Sequence, residues 1–346
     1  MLALQKRRDD QGLELRDVPE PPPPGPADVR IRVAATGICG TDLGIQKWGA
    51  GYRAMMAKAL PVTLGHETVG HVIAVGDGVT SVAIGDVVVV NPAVACGDCA
   101  RCRAGDPVGC LDRRPVGMVM DGAFAPLLNV PGSYVYRLPA NIPLELGALV
   151  EPLSVAAYAL DVAGFEPGQR VLVYGPGPIG QGVAVLAREM GAAEVAVVGL
   201  SDAARFTTLR TLGFDHLFDM SEPDAAERLS AFAGDGFDIA IEAAGVASVI
   251  DQALALLRPL GILAMAGMGE ASGPLDIGLL VRKRLQVRGV SRIPPRIWPS
   301  VIALMAKRPE AFAPLITHRL PLSQAIEAFA LCRAGETSKV LLIPGD

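Results

Sequence analysis

The chain has no excess of positive charge and no uninterrupted apolar run. Its 346 residues carry a formal net charge of −5, and acidic and basic side chains are mixed along the sequence. Such a chain offers no basic face for nucleic acid and no polybasic patch for an anionic membrane. The most apolar stretch, 144–165, is interrupted by Glu145, Glu151 and Asp161, so it does not have the pattern of a bilayer span.

Targeting and repetitive features are also lacking. The first ten residues, MLALQKRRDD, have neither the apolar run of a secretory signal nor the composition of a transit peptide. There is no internal repeat, and the only low-complexity stretch is the proline-rich segment 21–26. These absences predict a globular protein of the cytoplasm. An apolar fraction of 51% over this length is enough for two hydrophobic cores, so we expect two domains.

Cysteine is scarce, and four of the six cysteines fall within fifteen residues. Cys96, Cys99, Cys102 and Cys110 are spaced so that four thiolates can surround one zinc ion tetrahedrally. Disulfides are the weaker interpretation for a long chain without an export signal. The lobe 93–113 is therefore predicted to hold a structural zinc.

A second set of candidate ligands has a different composition: Cys39, His66, Glu67 and Glu151. A thiolate, an imidazole and a carboxylate form a zinc site that can leave one position open for water or substrate. Each residue alone has an ordinary structural explanation, as a small buried side chain, a turn residue or a solvated carboxylate. Their occurrence in one chain with a glycine-rich motif at 175–180, which is typical of nucleotide binding, favours a catalytic zinc.

Two residues close to Cys39 suit the chemistry of such a site. Bound to zinc, a substrate hydroxyl would lose its proton more readily and then deliver hydride to a nicotinamide. Thr41 is predicted to relay that proton, and Asp42 to orient the ring nitrogen of His66 that does not face the metal.

The remaining cysteine, Cys332, is expected to be a small buried residue.

Hydrophobic periodicity divides the chain into two parts with different patterns of secondary structure. Residues 1–150 are rich in short β-type runs separated by turn residues, which predicts an irregular β domain. From residue 169 onward, strand, glycine turn and helix alternate, which predicts an α/β domain with a parallel sheet covered by helices on both faces. The tail from 298 returns to short helical and strand-like pieces ending at 339–343, and we expect it to rejoin the first domain.

A glycine-rich motif lies near the start of the part with alternating strands and helices. Gly175, Gly177 and Gly180, with Pro178 and Ile179 between them, follow a strand-like run and open a segment, 179–190, with apolar residues at helical spacing. Glycines here let the backbone turn tightly and approach a pyrophosphate, whose charge is stabilised at the helix N-terminus. A tight turn in any α/β protein is the alternative. The context favours dinucleotide binding.

The choice between NAD and NADP is less direct. An NAD-binding unit carries an acidic residue about 20 positions after the motif, where this chain has Leu200. Gly199, Ser201 and Arg205 could accommodate a 2′-phosphate, which favours NADP. The alternative is that the strand ends two residues later and Asp202 is the acidic residue.

The motifs taken together resemble the zinc-containing medium-chain dehydrogenases over nearly the whole chain. The resemblance is carried by Gly-Ile-Cys39-Gly-Thr-Asp, Gly-His66-Glu67-x-x-Gly, the four-cysteine lobe and the glycine motif. The stretches Val-Glu151-Pro-Leu-Ser and 315–322 resemble the polyol (sorbitol-type) and threonine dehydrogenase branch. This resemblance implies a GroES-like catalytic domain over 1–153, a Rossmann NAD(P)-binding domain over 154–290, and a segment, 291–346, that rejoins the catalytic domain.

The resemblance also implies roles for individual residues. Cys39, His66 and Glu67 match the catalytic zinc ligands of that branch, and Glu151 matches a glutamate that binds zinc directly or through its water. Thr41 matches the proton-relay hydroxyl. The four lobe cysteines match the ligands of the structural zinc. The stretch Val290, Ser291 and Arg292 matches a segment near the nicotinamide and the substrate.

Two stretches differ from the family pattern. Many members have a histidine where this chain has Gly44, and the segment 48–60 has no specific match. We expect a zinc-dependent oxidoreductase that transfers hydride between a secondary alcohol (a polyol, sugar or amino alcohol) and NAD(P), giving the ketone or aldehyde. A threonine dehydrogenase-like enzyme is the first alternative, and a non-catalytic NADP(H)-binding sensor or structural protein is the second. A homodimer or homotetramer is expected, paired through an apolar stretch at 262–268 that could equally be a buried strand.

Overall fold

The computed structural model describes residues 1–269, 273 and 275–345. The chain divides into two compact units. The first comprises Met1–Glu151, Trp298–Pro309 and Ile316–Asp346, and the second comprises Pro152–Ile297 and Glu310–Leu315. The predicted α/β class is confirmed, with a β-rich first unit and a parallel sheet flanked by helices in the second.

The described residues form sixteen strands: β1 Leu2–Lys6, β2 Glu14–Asp17, β3 Asp28–Gly37, β4 Val62–Thr63, β5 Glu67–Val75, β6 Val87–Val90, β7 Leu127–Pro131, β8 Val135–Arg137, β9 Arg170–Tyr174, β10 Glu194–Gly199, β11 Leu217–Asp219, β12 Phe237–Glu242, β13 Leu257–Met265, β14 Gln286–Gly289, β15 Ile316–Pro321 and β16 Lys339–Ile343.

The same residues form eleven α-helices: α1 Gly40–Lys47, α2 Ala50–Met56, α3 Ala100–Arg103, α4 Val150–Ala163, α5 Pro178–Glu189, α6 Ala203–Thr211, α7 Ala225–Ala233, α8 Val249–Leu256, α9 Ile277–Lys283, α10 Ile297–Lys307 and α11 Ala325–Ala334. Short 3₁₀ turns connect several of them.

In the first unit, the pairing of three strands sets up the site described below. A seven-stranded sheet has the order β15-β16-β3-β5-β6-β8, with β7 also paired to β3. Strands β3 and β5 are antiparallel, and their register places Gly37 opposite Glu67. Strand β16 pairs with the same end of β3, with Leu341 opposite Gly37. Residues far apart in sequence therefore meet where β3 ends and β5 begins.

The core of the first unit explains why these strands hold their register. Val29, Ile31 and Val33 alternate with more exposed residues along β3 and are buried in one apolar cluster. A second cluster includes Phe124 and Phe329, whose rings pack edge to face at 6.0 Å. Each such fully buried side chain contributes about 1.5–3 kcal/mol. A one-residue slip of a strand would expose its apolar set.

The second unit contains a six-stranded parallel sheet in the order β11-β10-β9-β12-β13-β14. Its central strands are almost wholly buried, as expected for parallel strands rich in Val, Ile and Ala. From β9 the strand order runs outward in one direction through β10 and β11, and in the other through β12, β13 and β14. The position between β9 and β12 is therefore the topological switch point, where ligands of such sheets bind beyond the carboxyl ends of the strands.

Several sequence-based boundaries shift by a few residues. One of the short β-type runs of the first 150 residues, 133–137, begins as a 3₁₀ turn, Gly132–Tyr134, and only Val135–Arg137 is extended, because a Gly-Ser pair favours a turn. The helix predicted at 179–190 is Pro178–Glu189, with proline in its first turn. Among the described residues, Leu144–Ala163 is apolar and long enough to cross a membrane, but about two thirds of it is buried inside the fold, as in the core helix of a globular protein.

Candidate functional site

The four cysteines of the lobe 93–113 converge on one point in the first unit. The Sγ–Sγ distances are 4.0 Å between Cys96 and Cys102, 3.5 Å between Cys99 and Cys102, 3.9 Å between Cys99 and Cys110, and 3.6 Å between Cys96 and Cys110. A zinc–sulfur bond of about 2.3 Å implies a tetrahedron with edges of about 3.8 Å. The four sulfurs, none of them in a disulfide, fit such an ion.

Backbone N–H groups of the lobe point at these sulfurs. The amides of Cys99 and Cys96 donate to Cys96 Sγ and Cys110 Sγ, each at 3.3 Å, and Leu111 N donates to Cys99 Sγ at 3.5 Å. Hydrogen bonds from the amides of Leu111 and Cys102 lower the pKa of the Cys99 thiol to about 6. Burial and the neighbouring Cys99 raise the pKa of Cys102 to about 12. A cation at the centre of the lobe would stabilise the thiolate form, which is the form that binds zinc.

The second predicted ligand set is assembled at the ends of β3 and β5. Ligand atoms of Cys39, His66 and Glu67 all lie within 4.8 Å of one another. Cys39 caps α1, and its Sγ accepts a hydrogen bond from Thr41 N at 3.5 Å. His66 immediately precedes β5 and is buried. A sulfur, a nitrogen and an oxygen at this spacing are a plausible donor set for zinc.

Asp42 links the two halves of this cluster. Its Oδ2 accepts from the Cys39 amide at 2.9 Å, which completes a capping box at the start of α1. Its Oδ1 lies 3.6 Å from Nδ1 of His66, and both atoms are buried without another partner among the described residues. Burial opposes the charge on His66, but Asp42 and Cys39 outweigh it and raise the pKa of the imidazole. A metal ion at this ring would compete with its protonation, because metals bind the neutral imidazole.

Glu67 is held from the far end of the chain by a lysine that sequence reasoning missed. Lys339 Nζ lies 2.6 Å from both Glu67 oxygens and donates to Ile38 O at 3.1 Å. Gly37 leaves the space for this carboxylate, since a Cβ there would lie 2.0 Å from Glu67 Oε2. A signal was present in the sequence: Lys339 opens an otherwise apolar run in the last strand.

Glu151 lies in the first turn of α4 and is buried. It is not in the group of three described residues whose ligand atoms lie within 4.8 Å. Burial raises the pKa of Glu151 to about 7, although the charge of His66 acts in the opposite direction. The carboxyl group is therefore close enough to sense His66 electrostatically, without direct contact in this conformation.

The helix that follows Cys39 exposes one face. Thr41 and Gly44 are half-buried on it, and Gly44 lies one helical turn after Gly40. The Tyr52 ring packs on Gly44, where an added Cβ would lie 2.4 Å from Tyr52 Cε2. Tyr52 thus occupies the volume that a side chain at position 44 would fill.

In the second unit, the three motif glycines have three different roles. Gly175 has φ +97° and makes the turn that leaves β9. Gly180 packs against that turn, since a Cβ there would lie 1.9 Å from Gly175 O. Gly177 caps α5, and a Cβ on it would meet nothing within 4 Å. Pro178 and Ile179 form the first turn of α5. Open space beside a helix N-terminus is what a pyrophosphate requires.

The turn after β10 contains the residues predicted to recognise the adenosine ribose. Gly199 ends the strand, and a Cβ there would lie 2.7 Å from Pro176 Cγ, so this position accepts no side chain without a shift. Leu200 is 66% exposed, and Ser201 has φ +56°. Asp202 accepts from the Leu200 amide at 3.2 Å and pairs with Arg205 at 2.8 Å.

Asp219, at the end of β11, was not predicted but holds this turn. It accepts from the Ser201 amide at 2.8 Å and from Ser221 through both the amide at 3.0 Å and the hydroxyl at 2.7 Å. Burial opposes its charge, but the hydrogen bonds from the Ser221 and Ser201 amides prevail and lower the pKa of the carboxyl group. The turn between β10 and α6 therefore faces a permanent negative charge.

The last predicted cofactor residues follow the edge strand β14. Val290 N donates to Met265 O at 2.9 Å, which ties the segment to the end of β13. Ser291 follows, and Arg292 adopts φ +63°. All three residues lie at the carboxyl edge of the sheet that also carries the glycine turn.

Comparison with known proteins agrees with this arrangement. The Alcohol dehydrogenase GroES-like domain matches residues 25–140, and the Zinc-binding dehydrogenase family matches 178–307. Sorbitol dehydrogenase of Gallus gallus is 35% identical, covering 99% of this chain and 96% of the relative. L-threonine 3-dehydrogenase of Pyrococcus furiosus is 34% identical, covering 99% and 98%. The chain belongs to the zinc-binding dehydrogenase family.

Solved structures extend the likeness to the fold. The 2R,3R-butanediol dehydrogenase of Bacillus subtilis has a TM-score of 0.88 at 28% identity, and an NADP-bound zinc-binding dehydrogenase of Sinorhizobium meliloti has 0.86 at 29%, each covering 99% of both chains. As a zinc-binding dehydrogenase, the chain is a zinc-dependent oxidoreductase that acts on alcohol donors with NAD(P). The predicted family, fold class and reaction class are confirmed.

Proposed function

We propose that the chain oxidises a secondary alcohol bearing further polar groups, such as a polyol, a sugar or an amino alcohol, to the ketone or aldehyde. The observation that carries the proposal is the mixed set of Cys39, His66 and Glu67, with the hydroxyl-bearing Thr41 two residues after Cys39. When bound, zinc supplies a Lewis acid for the substrate hydroxyl, and NAD(P) accepts the hydride.

The residues of the chain divide the remaining work. Cys39 and His66 would hold the metal, and Asp42 orients His66 through Nδ1, which leaves Nε2 for the ion. The Thr41 hydroxyl can accept and donate a proton at the same time, so it suits the relay of the substrate proton. Its backbone N–H already binds Cys39 Sγ, which keeps it beside the ligand sulfur.

Two carboxylates compete for the third protein position on the catalytic metal. Glu67 lies within 4.8 Å of the other two donors, but Lys339 binds both of its oxygens. Glu151 has no such ion pair within the part of the chain that the structure describes, but it is not in the group whose ligand atoms lie within 4.8 Å of one another. We propose that both belong to the site, with Glu67 held by Lys339 and Glu151 contacting the metal directly or through water. The sulfurs of Cys96, Cys99, Cys102 and Cys110 are proposed to hold a second, structural zinc.

Substrate oxidation can be tested with the purified full-length chain. Reduction of NAD and of NADP is followed by absorbance with a panel of polyols, diols, simple secondary alcohols and threonine, before and after chelation. We expect chelator-sensitive turnover that zinc restores, and a preference for substrates with more than one hydroxyl group. If no alcohol supports chelator-sensitive reduction, the chain is a non-catalytic cofactor-binding protein.

An amino-alcohol substrate is the second candidate. The sequence identity to L-threonine 3-dehydrogenase, 34%, is close to the identity to sorbitol dehydrogenase, 35%. The exposed face of α1, with Gly44 under the Tyr52 ring, does not itself favour either substrate. The ratio of kcat/KM for threonine to that for a polyol decides between them.

We further propose NADP as the preferred cofactor. The support is Leu200, which stands where an NAD-binding unit has its acidic residue, together with Gly199, Ser201 and Arg205, which could accommodate a 2′-phosphate. Asp202 and Asp219 act against this preference, because both place negative charge on the same turn. A ratio of dissociation constants for NADPH and NADH below one supports the proposal, and a ratio above one contradicts it.

Domain limits, assembly and location complete the proposal. We propose a catalytic domain over 1–153 and 291–346, and a cofactor domain over 154–290. The expected pairing at 262–268 is wrong for residues 262–265, because they belong to β13, which lies inside the sheet between β12 and β14. A homodimer or homotetramer is proposed to form instead through β14, an edge strand whose side chains are mostly exposed. Light scattering after size-exclusion chromatography tests the assembly. The cytoplasm is the proposed location.

A further inference from the structure

A buried glutamate lies at the switch point of the parallel sheet, outside every residue set discussed so far. Glu242 ends β12 and is 0% exposed. Its Oε1 accepts from three consecutive amides, those of Ala244 at 2.7 Å, Gly245 at 2.6 Å and Val246 at 3.4 Å. Its Oε2 has no hydrogen-bond partner among the described residues.

The loop that Glu242 binds lies directly against the glycine turn. Strands β9 and β12 are parallel neighbours, with Tyr174 in register with Glu242. The Ala243 amide donates to Tyr174 O at 2.8 Å, and a Cβ on Gly175 would lie 2.7 Å from Ala244 N. The loop 243–246 and the turn 175–177 therefore form the two sides of the switch point.

Three inward amides fix the direction of the loop's carbonyl groups. A trans peptide points its N–H and the preceding C=O in opposite directions. Because the amides of Ala244 and Gly245 face Glu242, the carbonyls of Ala243 and Ala244 are turned away from it. An ionised acceptor binds such amides about twice as strongly as a neutral one.

Packing alone does not explain a buried glutamate at the end of β12. A buried carboxylate oxygen that lacks a hydrogen-bond partner destabilises the folded state. The space beside it depends on glycine, since a Cβ on Gly267 would lie 2.5 Å from Glu242 Oε2 and 2.2 Å from Gly245 N. An apolar residue would fill the same position in a sheet end without this penalty. The glutamate is therefore best explained by what it does to the loop.

We propose that Glu242 is a positioning residue for the nicotinamide half of NAD(P). It locks the loop 243–246 so that its outward carbonyls present acceptors to the N–H groups of the nicotinamide carboxamide. The adenosine half meets the turn after β10 instead, and its affinity does not depend on Glu242. The inference rests on cofactor binding, which is measured without substrate. Its test is therefore independent of whether the proposed alcohol is the substrate.

The test compares two ligands in the zinc-loaded full-length chain. Dissociation constants for NADPH and NADH are measured by fluorescence, and that for ADP-ribose, which lacks nicotinamide, by displacement. Glu242→Gln keeps the size and removes the charge, and we expect it to weaken NADPH and NADH about tenfold while ADP-ribose stays within about twofold. Glu227→Gln, an exposed glutamate of α7 in the same unit, is the matched control and leaves all three unchanged.

Thermal unfolding of each variant identifies a purely structural effect. If Glu242→Gln weakens ADP-ribose as much as NADH, or leaves the affinities for NADH and NADPH at the wild-type values, the proposal is wrong. Glu242→Asp, which keeps the charge on a shorter side chain, should recover part of the lost nicotinamide affinity. No recovery by this variant, if it folds, also counts against the proposal.

Discussion

Lys339 places its ammonium group 2.6 Å from both carboxylate oxygens of Glu67, in an ion pair that is almost completely buried. The two residues are 272 positions apart, so the last strand of the chain completes the site that Cys39 and His66 begin. The pair compensates the charge of Glu67 and limits how far this carboxylate can move toward a metal.

Breaking this pair from one side should be more damaging than removing it completely. Lys339→Met leaves a buried carboxylate without its partner, and we expect a loss of about 3–5 kcal/mol in the free energy of unfolding. Glu67→Gln should also destabilise the chain, but the double variant should lose less than the sum of the two. Urea unfolding of all four proteins gives the coupling energy. Strict additivity would contradict a direct Lys339–Glu67 interaction.

The cysteine lobe should lose its metal independently of the mixed site. Cys99→Ser removes one of four sulfurs in a closed tetrahedral shell, so we expect the zinc content to fall from two ions per chain to one. The melting temperature should fall, because metal binding contributes directly to folding of the lobe. Elemental analysis and calorimetry measure both. Retention of two ions would show that the lobe does not hold the metal.

Gly44 should control the position of Tyr52. In Gly44→Ala the new Cβ would lie 2.4 Å from Tyr52 Cε2, so the ring must move along the exposed face of α1. We expect kcat/KM for the best substrate to fall by about tenfold, which is 1.4 kcal/mol, with little change in stability. Gly51→Ala, on α2 with nothing within 4 Å of the new Cβ, is the control. Equal effects of the two substitutions would show that the position of the Tyr52 ring does not affect turnover.

The stability contributed by Asp219 should depend on pH in a defined direction. Its folded-state pKa is lowered from 3.8, so its stabilising effect is present above that value and is lost as pH falls through the lower folded value. Asp219→Asn should therefore reduce stability by a constant amount between about pH 5 and 8, and the deficit should shrink below about pH 4. Denaturant titrations across this range test it. A deficit that grows on acidification has the wrong sign.

The sequence predicted which residues of the two candidate metal sites lie close together, and it predicted the glycine turn. Cys96, Cys99, Cys102 and Cys110 lie within one short lobe, and the motif from Gly175 to Gly180 spans a single strand-to-helix connection, so spacing alone determines what they can form. Glycine roles that depend on φ and on close approach were expected from the same pattern.

Residues that act across the fold were not predicted. Lys339 reaches Glu67 only because β16 and β5 both pair with β3, and no pattern in the sequence gives that register. The surroundings of Glu242 were not predicted for the same reason, since they depend on the parallel pairing of β9 with β12. Non-local strand pairing sets these contacts.

The most direct test of the whole account is the behaviour of His66→Ala. Zinc content, NADPH binding and alcohol-dependent cofactor reduction are measured on the same preparation of the full-length chain. We predict one zinc ion per chain instead of two, unchanged cofactor affinity, and a loss of turnover of about a thousandfold or more, equivalent to the several kcal/mol that a Lewis acid contributes. A variant that keeps both zinc ions and wild-type turnover would contradict a catalytic metal at Cys39, His66 and Glu67.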